Sequence, residues 1–247
     1  MASYRLRAQI PAQVLGATIN TGDADIIVFS KPVAEDVEVA KAAKGHAKIV
    51  VDVCDPHNYH DILRYADAVT VASEALLELY PHAWVVPDPI EGEGNAPHAD
   101  MDACSWIGHH SNLPELRKWL GMLPGLHVNV CTTPGKVEGA FPWSLPMQTY
   151  VYAQSGYVLL PARHRFKSAN RLTQALHEGC FVIAGNIPAY ADHKKRAWVG
   201  DPTTGVRWVH AHRRLLNEIV AEAQEHVRAH YSAEAIGQRW QQLFDFI

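Results

Sequence analysis

The sequence contains no run of roughly 18 or more apolar residues, and its opening residues, MASYRLRAQIPAQ, lack the apolar core of a secretory signal. Neither a membrane-spanning helix nor a cleaved leader is expected, and the chain reads as soluble and cytoplasmic. Cysteine is scarce: Cys54, Cys104, Cys131 and Cys180 are scattered singly, with no CxxC pair. Each lies beside strand-like apolar residues, so buried free thiols are expected rather than disulfides or zinc ligands. Low-complexity segments, short tandem repeats and named nucleic-acid-binding motifs are also missing. One Asp-x-Asp pair occurs, Asp23-Ala24-Asp25, but it precedes a strand and reads as turn residues rather than as a site for a divalent ion.

What is present is enough for a core. The chain has 247 residues, 48% of them hydrophobic, which suffices for one large domain or two small ones. Its formal charge of −4 conceals an asymmetry. Residues 1–100 carry 7 Lys/Arg against 15 Asp/Glu, whereas residues 101–247 carry 15 against 11. A basic second half suits an anionic ligand, and an acidic first half argues against a broad polyanion-binding surface.

Short runs rich in Val and Ile alternate with helical patterns, the signature of βαβ units around parallel sheets. In the first half, strands are expected at 26–29, 48–53, 68–71 and 83–86. Helices are expected at 33–44, stopped by Gly45, at 59–65, and from a Ser73 cap to Leu79. The segment DPIEGEGNAPHADMD has two Pro, two Gly and no apolar period, and reads as a linker. The pattern then restarts, with strands at 103–107, 127–130, 156–160 and 180–184. Helices follow at 113–120, 146–153 and 168–177, and closing helices at 213–231 and 233–246. The division expected is a lobe of residues 1–94 and a second lobe of residues 95–247, with a terminal helix able to cross back.

The most informative stretch is PARHRFKSANRLTQALHEGCFVIAGNIPAY, residues 161–190. A strand ends at Leu160, a basic loop follows, and Lys167 or Ser168 opens a helix whose free N–H groups and positive dipole end suit a phosphate. Arg163, Lys167 and Arg171 would add charge-assisted contacts there. Asn170 and Gln174 lie one turn apart and could bond sugar or ribose hydroxyls. Gly179 ends the helix, and a buried strand follows.

Here KSANRLTQALHEGCFVIAG resembles the donor-binding lobe of GT-B glycosyltransferases. The resemblance extends over most of the chain. Trp106-Ile107-Gly108-His109 is similar to the first strand and loop of that lobe, VVPDPIE to the crossover between lobes, and KIVVDVCDPH to the acceptor-lobe strand that ends in a cleft-facing His or Asp. It implies an α/β fold of two Rossmann-like lobes facing a cleft, with parallel sheets flanked by helices. It also implies transfer of a sugar from a nucleoside-diphosphate sugar to a hydroxyl, with no essential metal, the leaving diphosphate being neutralised by basic groups. Many retaining members carry two glutamates around this helix; Phe166 and Gln174 stand at that spacing here.

The implied donor-binding residues are Gly108, His109, Arg163, Lys167, Ser168, Asn170, Arg171 and Gln174. Asp55 and His57, in DVCDPHNYHD, are the candidates to orient or deprotonate the acceptor hydroxyl, with an Asp-Pro turn and surface histidines as the alternative. Arg5 and Arg7 flank an apolar segment that reads as an edge strand or as reaching the cleft. Basic clusters at 193–196 and 207–214, interleaved with Trp198 and Trp208, raise a second possibility, a glycosyltransferase acting on a hydroxymethylated base in DNA. A third is a non-catalytic protein that binds a nucleotide or sugar phosphate.

Overall fold

The structure, a computed structural model, describes residues 4–19, 24–56, 59–162 and 164–247, with only the backbone described at position 60. Residues Asp23, His57 and Arg163, singled out above, lie outside the described residues. The chain forms two compact units. One comprises the chain up to Ile90 with Phe166–Asn170 and His230–Ile247, and the other comprises Glu91–Arg165 and Arg171–Ala229. The chain passes from the first unit to the second at Glu91 and returns to the first twice, over Phe166–Asn170 and again over the terminal helix.

The first unit opens with a π-helical turn, Arg5–Gln9, running into α1, Ile10–Leu15. Residues 5–15 are thus helical rather than an edge strand. Next come β1 (Ile26–Ser30), α2 (Asp36–Ala43), β2 (Lys48–Val53), α3 (His60–Leu63), β3 (Ala68–Val71), a 3₁₀ turn over Glu74–Glu78, and β4 (Trp84–Val85). The strands are all parallel and stand in the order β1-β2-β3-β4. Side chains alternate across a strand. On β2, Ile49, Val51 and Val53 therefore face one core with Ala40, Ala43, Ile62 and Leu76, while Val50 faces another. Asp52 shares the Val50 face and is fully buried.

The second unit contains β5 (Cys104–Ile107), α4 (Leu113–Met122), β6 (Val128–Thr132), β7 (Phe141–Pro142), α5 (Leu145–Ala153), β8 (Tyr157–Leu160), α6 (Asn170–His177), β9 (Phe181–Ala184), β10 (Trp198–Val199) and α7 (Pro202–Tyr231). Helix α6 begins in the segment assigned to the first unit and continues in the second. Its six strands are parallel in the order β10-β9-β8-β5-β6-β7, so the order reverses between β5 and β8. This is the doubly wound arrangement of nucleotide-binding sheets. Gly179, at φ 84°, ends α6 as expected, and a Cβ there would meet the Ala96 carbonyl oxygen at 2.4 Å. The short edge strands β7 and β10 are too brief to show an apolar period.

Helix α7 bends at His212 (φ −117°, ψ 18°), whose Nδ1 bonds the Trp208 carbonyl at 2.9 Å. A side chain inserted into the helical ladder is a sufficient cause for the bend. The chain ends with α8, Ala233–Phe246, capped by Ser232 accepting from the Ala235 N–H. This helix belongs to the first unit because Ile236, Trp240 and Leu243 pack on Val50 and Val86. Three of the four thiols are buried and all four are free; Cys54 is half-buried. Among the described residues, no helix is long and apolar enough to cross a membrane.

Candidate functional site

Open α/β sheets bind ligands beyond the carboxyl ends of their strands, at the point where strand order reverses. In the second unit that point lies past Ile107 and Leu160, and the loop after β5 is Gly108-His109-His110. This loop is fixed from both sides. Thr132 Oγ1 donates to the Gly108 carbonyl at 2.7 Å, and the Gly108 N–H donates to Cys131 at 3.1 Å. His110 Nδ1 lies 3.1 Å from Thr133 Oγ1, and the rings of His109 and His110 stand 4.1 Å apart. His109 Nδ1 accepts from the Ser111 N–H and caps the short 3₁₀ turn that leads into α4. Desolvation, then His109 and Lys136, hold His110 below the ordinary histidine range, so it is neutral at pH 7.

Arg171 comes to the same place from α6. Its guanidinium donates to the Ile107 carbonyl at 3.5 Å and is hydrogen-bonded to the buried Tyr190. Gly108 is needed for this approach: a Cβ would sit 2.8 Å from the Trp106 ring and 3.0 Å from Arg171 Nη1. Gly108, His109 and Arg171 are therefore brought together, with one cation and two imidazoles at the reversal. Tyr190, Thr132, Thr133 and His110 complete this environment and carried no signal in the sequence beyond lying after strands.

Lys167 and Ser168 are placed differently from expectation. Helix α6 starts at Asn170, so both residues precede it, and the segment Phe166–Asn170 packs with the first unit. Phe166 packs against the core that contains Ile49 and Leu76, which explains why a hydrophobic residue stands there instead of a glutamate. Lys167 Nζ pairs with Asp55 Oδ1 at 3.1 Å. Ser168 is hydrogen-bonded to the buried Asp88, which burial holds above the usual carboxylate range despite Arg7 nearby. Asn170, half-buried, is the first residue of α6.

Gln174 is not exposed to a ligand. Its Oε1 accepts from the Glu91 N–H at 2.8 Å, and its Nε2 donates to the Glu91 carbonyl at 2.9 Å and to Glu178 at 3.1 Å. The amide is consumed in pinning the backbone after Ile90.

Asp55 lies just beyond the carboxyl end of β2. Burial alone would raise its carboxyl, but Lys167 and Lys31 hold it below the usual range. It is therefore ionised and a weak base. Beneath it, Arg7 is fully buried and donates to Asp52 through Nε at 3.0 Å and through Nη2, and also to the Val86 carbonyl. Ser30 and Thr70 hydroxyls donate to the same Asp52. Arg7 thus belongs to a buried ion pair and is not a solvated or ligand-reaching residue. Its one visible signal was an arginine set between Leu6 and Ala8.

Trp198 and Trp208 are also structural. Trp208 stacks on Phe181 at 5.4 Å and on His212 at 4.5 Å, with Trp198 6.0 Å away, and both pack against the second unit's core. Both rings are partly buried and engaged in packing within the second unit. Among the described residues no group of three or more His, Cys, Asp or Glu is placed to hold a metal ion.

These features define an α/β protein with two parallel sheets flanked by helices, the second of Rossmann order. Solved structures with this fold include glycosyltransferases of the GT-B type, and the chain has their fold. It is similar to HepE of Anabaena in complex with UDP and glucose, at 12% identity and a TM-score of 0.72, over 99% of this chain and 83% of that one. A sucrose-phosphate synthase from Thermosynechococcus elongatus matches at 13% identity and 0.67, over 85% and 71% of the respective chains. A UDP-forming trehalose-phosphate synthase from Burkholderia xenovorans matches at 11% and 0.59, over 98% and 77%. No protein-family model matches the chain, and no curated protein matches it in sequence.

Proposed function

We propose that the chain is a glycosyltransferase that moves a sugar from a nucleoside-diphosphate sugar to an acceptor hydroxyl. The observation that carries this reading is the reversal of strand order at β5 and β8 with Gly108, His109 and Arg171 on its carboxyl side. The diphosphate of the donor lies against the Gly108–His109 backbone, and Arg171, with Arg163, meets the charge that develops as it leaves. No divalent ion is required for that role. Arg171 suits it because its hydrogen bonds to Ile107 and Tyr190 hold the guanidinium in one orientation, so little order is lost when an anion binds. Asp55 and His57 serve the acceptor. An ionised Asp55 accepts a hydrogen bond from the hydroxyl, and His57 takes its proton.

The commitment of Gln174 to Glu91 supports a second reading, binding without transfer, because neither position where a retaining enzyme carries its glutamates reaches a donor sugar. The two readings part on turnover of a bound donor.

Calorimetric titration with UDP, ADP and GDP tests the proposal. At least one is expected to bind saturably, and Arg171→Ala is expected to weaken that affinity tenfold or more while circular dichroism stays unchanged. No saturable binding of any of the three would overturn it.

A further inference from the structure

Lys31 was singled out by no motif, yet its backbone is unusual. It follows the last residue of β1 and precedes Pro32, a position that favours extended backbone, but its φ is 52°, in the left-handed region. The sheet enforces this conformation, since the Lys31 N–H donates to the Asp52 carbonyl at 3.0 Å. Its result is to bring the ammonium to Asp55 Oδ2 at 3.2 Å. Lys167 takes the other oxygen, Oδ1, at 3.1 Å from a position 112 residues further along the chain.

Two cations thus flank one carboxylate, and the group carries a net charge of +1. Stability does not explain the arrangement. The lysine side chains are 41% and 43% exposed, and ion pairs of that exposure contribute little. One lysine would neutralise Asp55, and the second is held by strained backbone. Strain of this kind collects at functional sites. An ammonium has three donors, and among the described residues each lysine gives one to Asp55.

We infer that Lys31 and Lys167 receive a phosphate group carried by the acceptor, and that Asp55 keeps the two ammonium groups in place until it arrives. The two carboxylate oxygens span the two cations as two phosphate oxygens would. A phosphate monoester brings about 1.5 to 2 negative charges against the carboxylate's one, so the exchange is favoured electrostatically. Lysine acts as a point-charge phosphate binder. The acceptor class is then a phosphorylated hydroxyl compound, and Asp55, released from its ion pairs, receives the hydrogen bond of the hydroxyl. Calling the ligand an acceptor rests on the glycosyltransferase reading; the phosphate site itself does not.

Calorimetric titration of the whole chain with inorganic phosphate, in saturating UDP to fill any donor site, tests the inference. Lys31→Asn keeps a residue that tolerates left-handed backbone and is expected to lower phosphate affinity at least tenfold. Asp55→Asn removes the competing charge and is expected to raise it severalfold, with UDP affinity within twofold of the parent in both variants. Phosphate binding that is absent, indifferent to Lys31→Asn or weakened by Asp55→Asn would overturn the site. Lys31-dependent phosphate binding in a chain that binds no nucleotide would overturn the acceptor assignment and the donor reading, and leave the phosphate site standing.

Discussion

The first sheet runs β1-β2-β3-β4 and the second runs β10-β9-β8-β5-β6-β7, although both are built from the same strand–helix repeat. In the first, every crossover steps the same way, so right-handed connections put all the intervening segments on one face. Ala40, Ala43, Ile62 and Leu76 lie there. The opposite face has to be covered by residues from before β1 and after α7. Arg7 and α1 supply one part and α8 the other, with Val14 packed against Gly237. In the second sheet the chain turns back at β5, helices fall on both faces, and the reversal leaves a place for a ligand. Where the strand order turns thus decides which unit has a switch point at its strand ends; in the first unit the charged side chains of Lys31, Asp55 and Lys167 pair there instead.

The largest break in this comparison is expected from Asp52→Ala. It leaves the buried Arg7 with only the more distant carboxylate of Asp88, at 3.6 Å, which costs about 3–5 kcal/mol. Hydrogen exchange should show protection lost over Ile49–Val53 and kept over Tyr157–Leu160; equal loss in both sheets would mean that the units do not respond separately.

Acid should sharpen the difference in the other direction. Burial, then His226 and Arg196, push His193 in the second unit down to about 4. Between pH 6.5 and 4 the unfolded chain binds a proton that the folded chain refuses. Stability is therefore full above 6.5 and falls as pH drops toward 4, by up to about 3 kcal/mol. Asp55 has the same sign at lower pH: its contribution is present above the ordinary carboxylate range and is lost as pH falls through its lowered value. Chemical denaturation at pH 7 and pH 4.5 should show a smaller loss in His193→Gln than in the parent.

The smallest effect is expected from Gly108→Ala. The added methyl meets Trp106 and Arg171, and relief should cost about 1–2 kcal/mol. Because Arg171 moves, nucleotide affinity should fall as well, read by the same titration as Arg171→Ala. Unchanged affinity would remove Gly108 from the donor site.

Much of this fold was legible because runs such as Lys48–Val53 and Ala68–Val71 are continuous apolar strands, and a parallel strand buried on both faces leaves that mark. Strands β7 and β10, two residues each, have no period to detect. The N-terminal helix was misread because its buried arginine interrupts an apolar face, and only the distant Asp52 explains it. Gly108 and His109 were named by resemblance and Arg171 by the basic start of its helix; their meeting is a contact across 64 residues, from Arg171 to Ile107, that no local pattern carries. Lys167 and Gln174 could not be placed, since their partners Asp55 and Glu91 lie 112 and 83 residues away. Lys31 carried the same strand-end signal as Asp55, and its position after β1 was sufficient to find it.

The return of α8 to the first unit also bears on the order in which the chain is made. Until residues 230–247 leave the ribosome, Val50 and Val86 have no cover from Ile236, Trp240 and Leu243, and the Ile90 N–H lacks the Tyr231 carbonyl that it bonds at 2.8 Å. The second unit is complete before then. The unit made first is the one finished last, so its apolar face must wait through the synthesis of the other, and a nascent chain stopped at Ala229 will carry a folded nucleotide-type sheet beside an unfinished one.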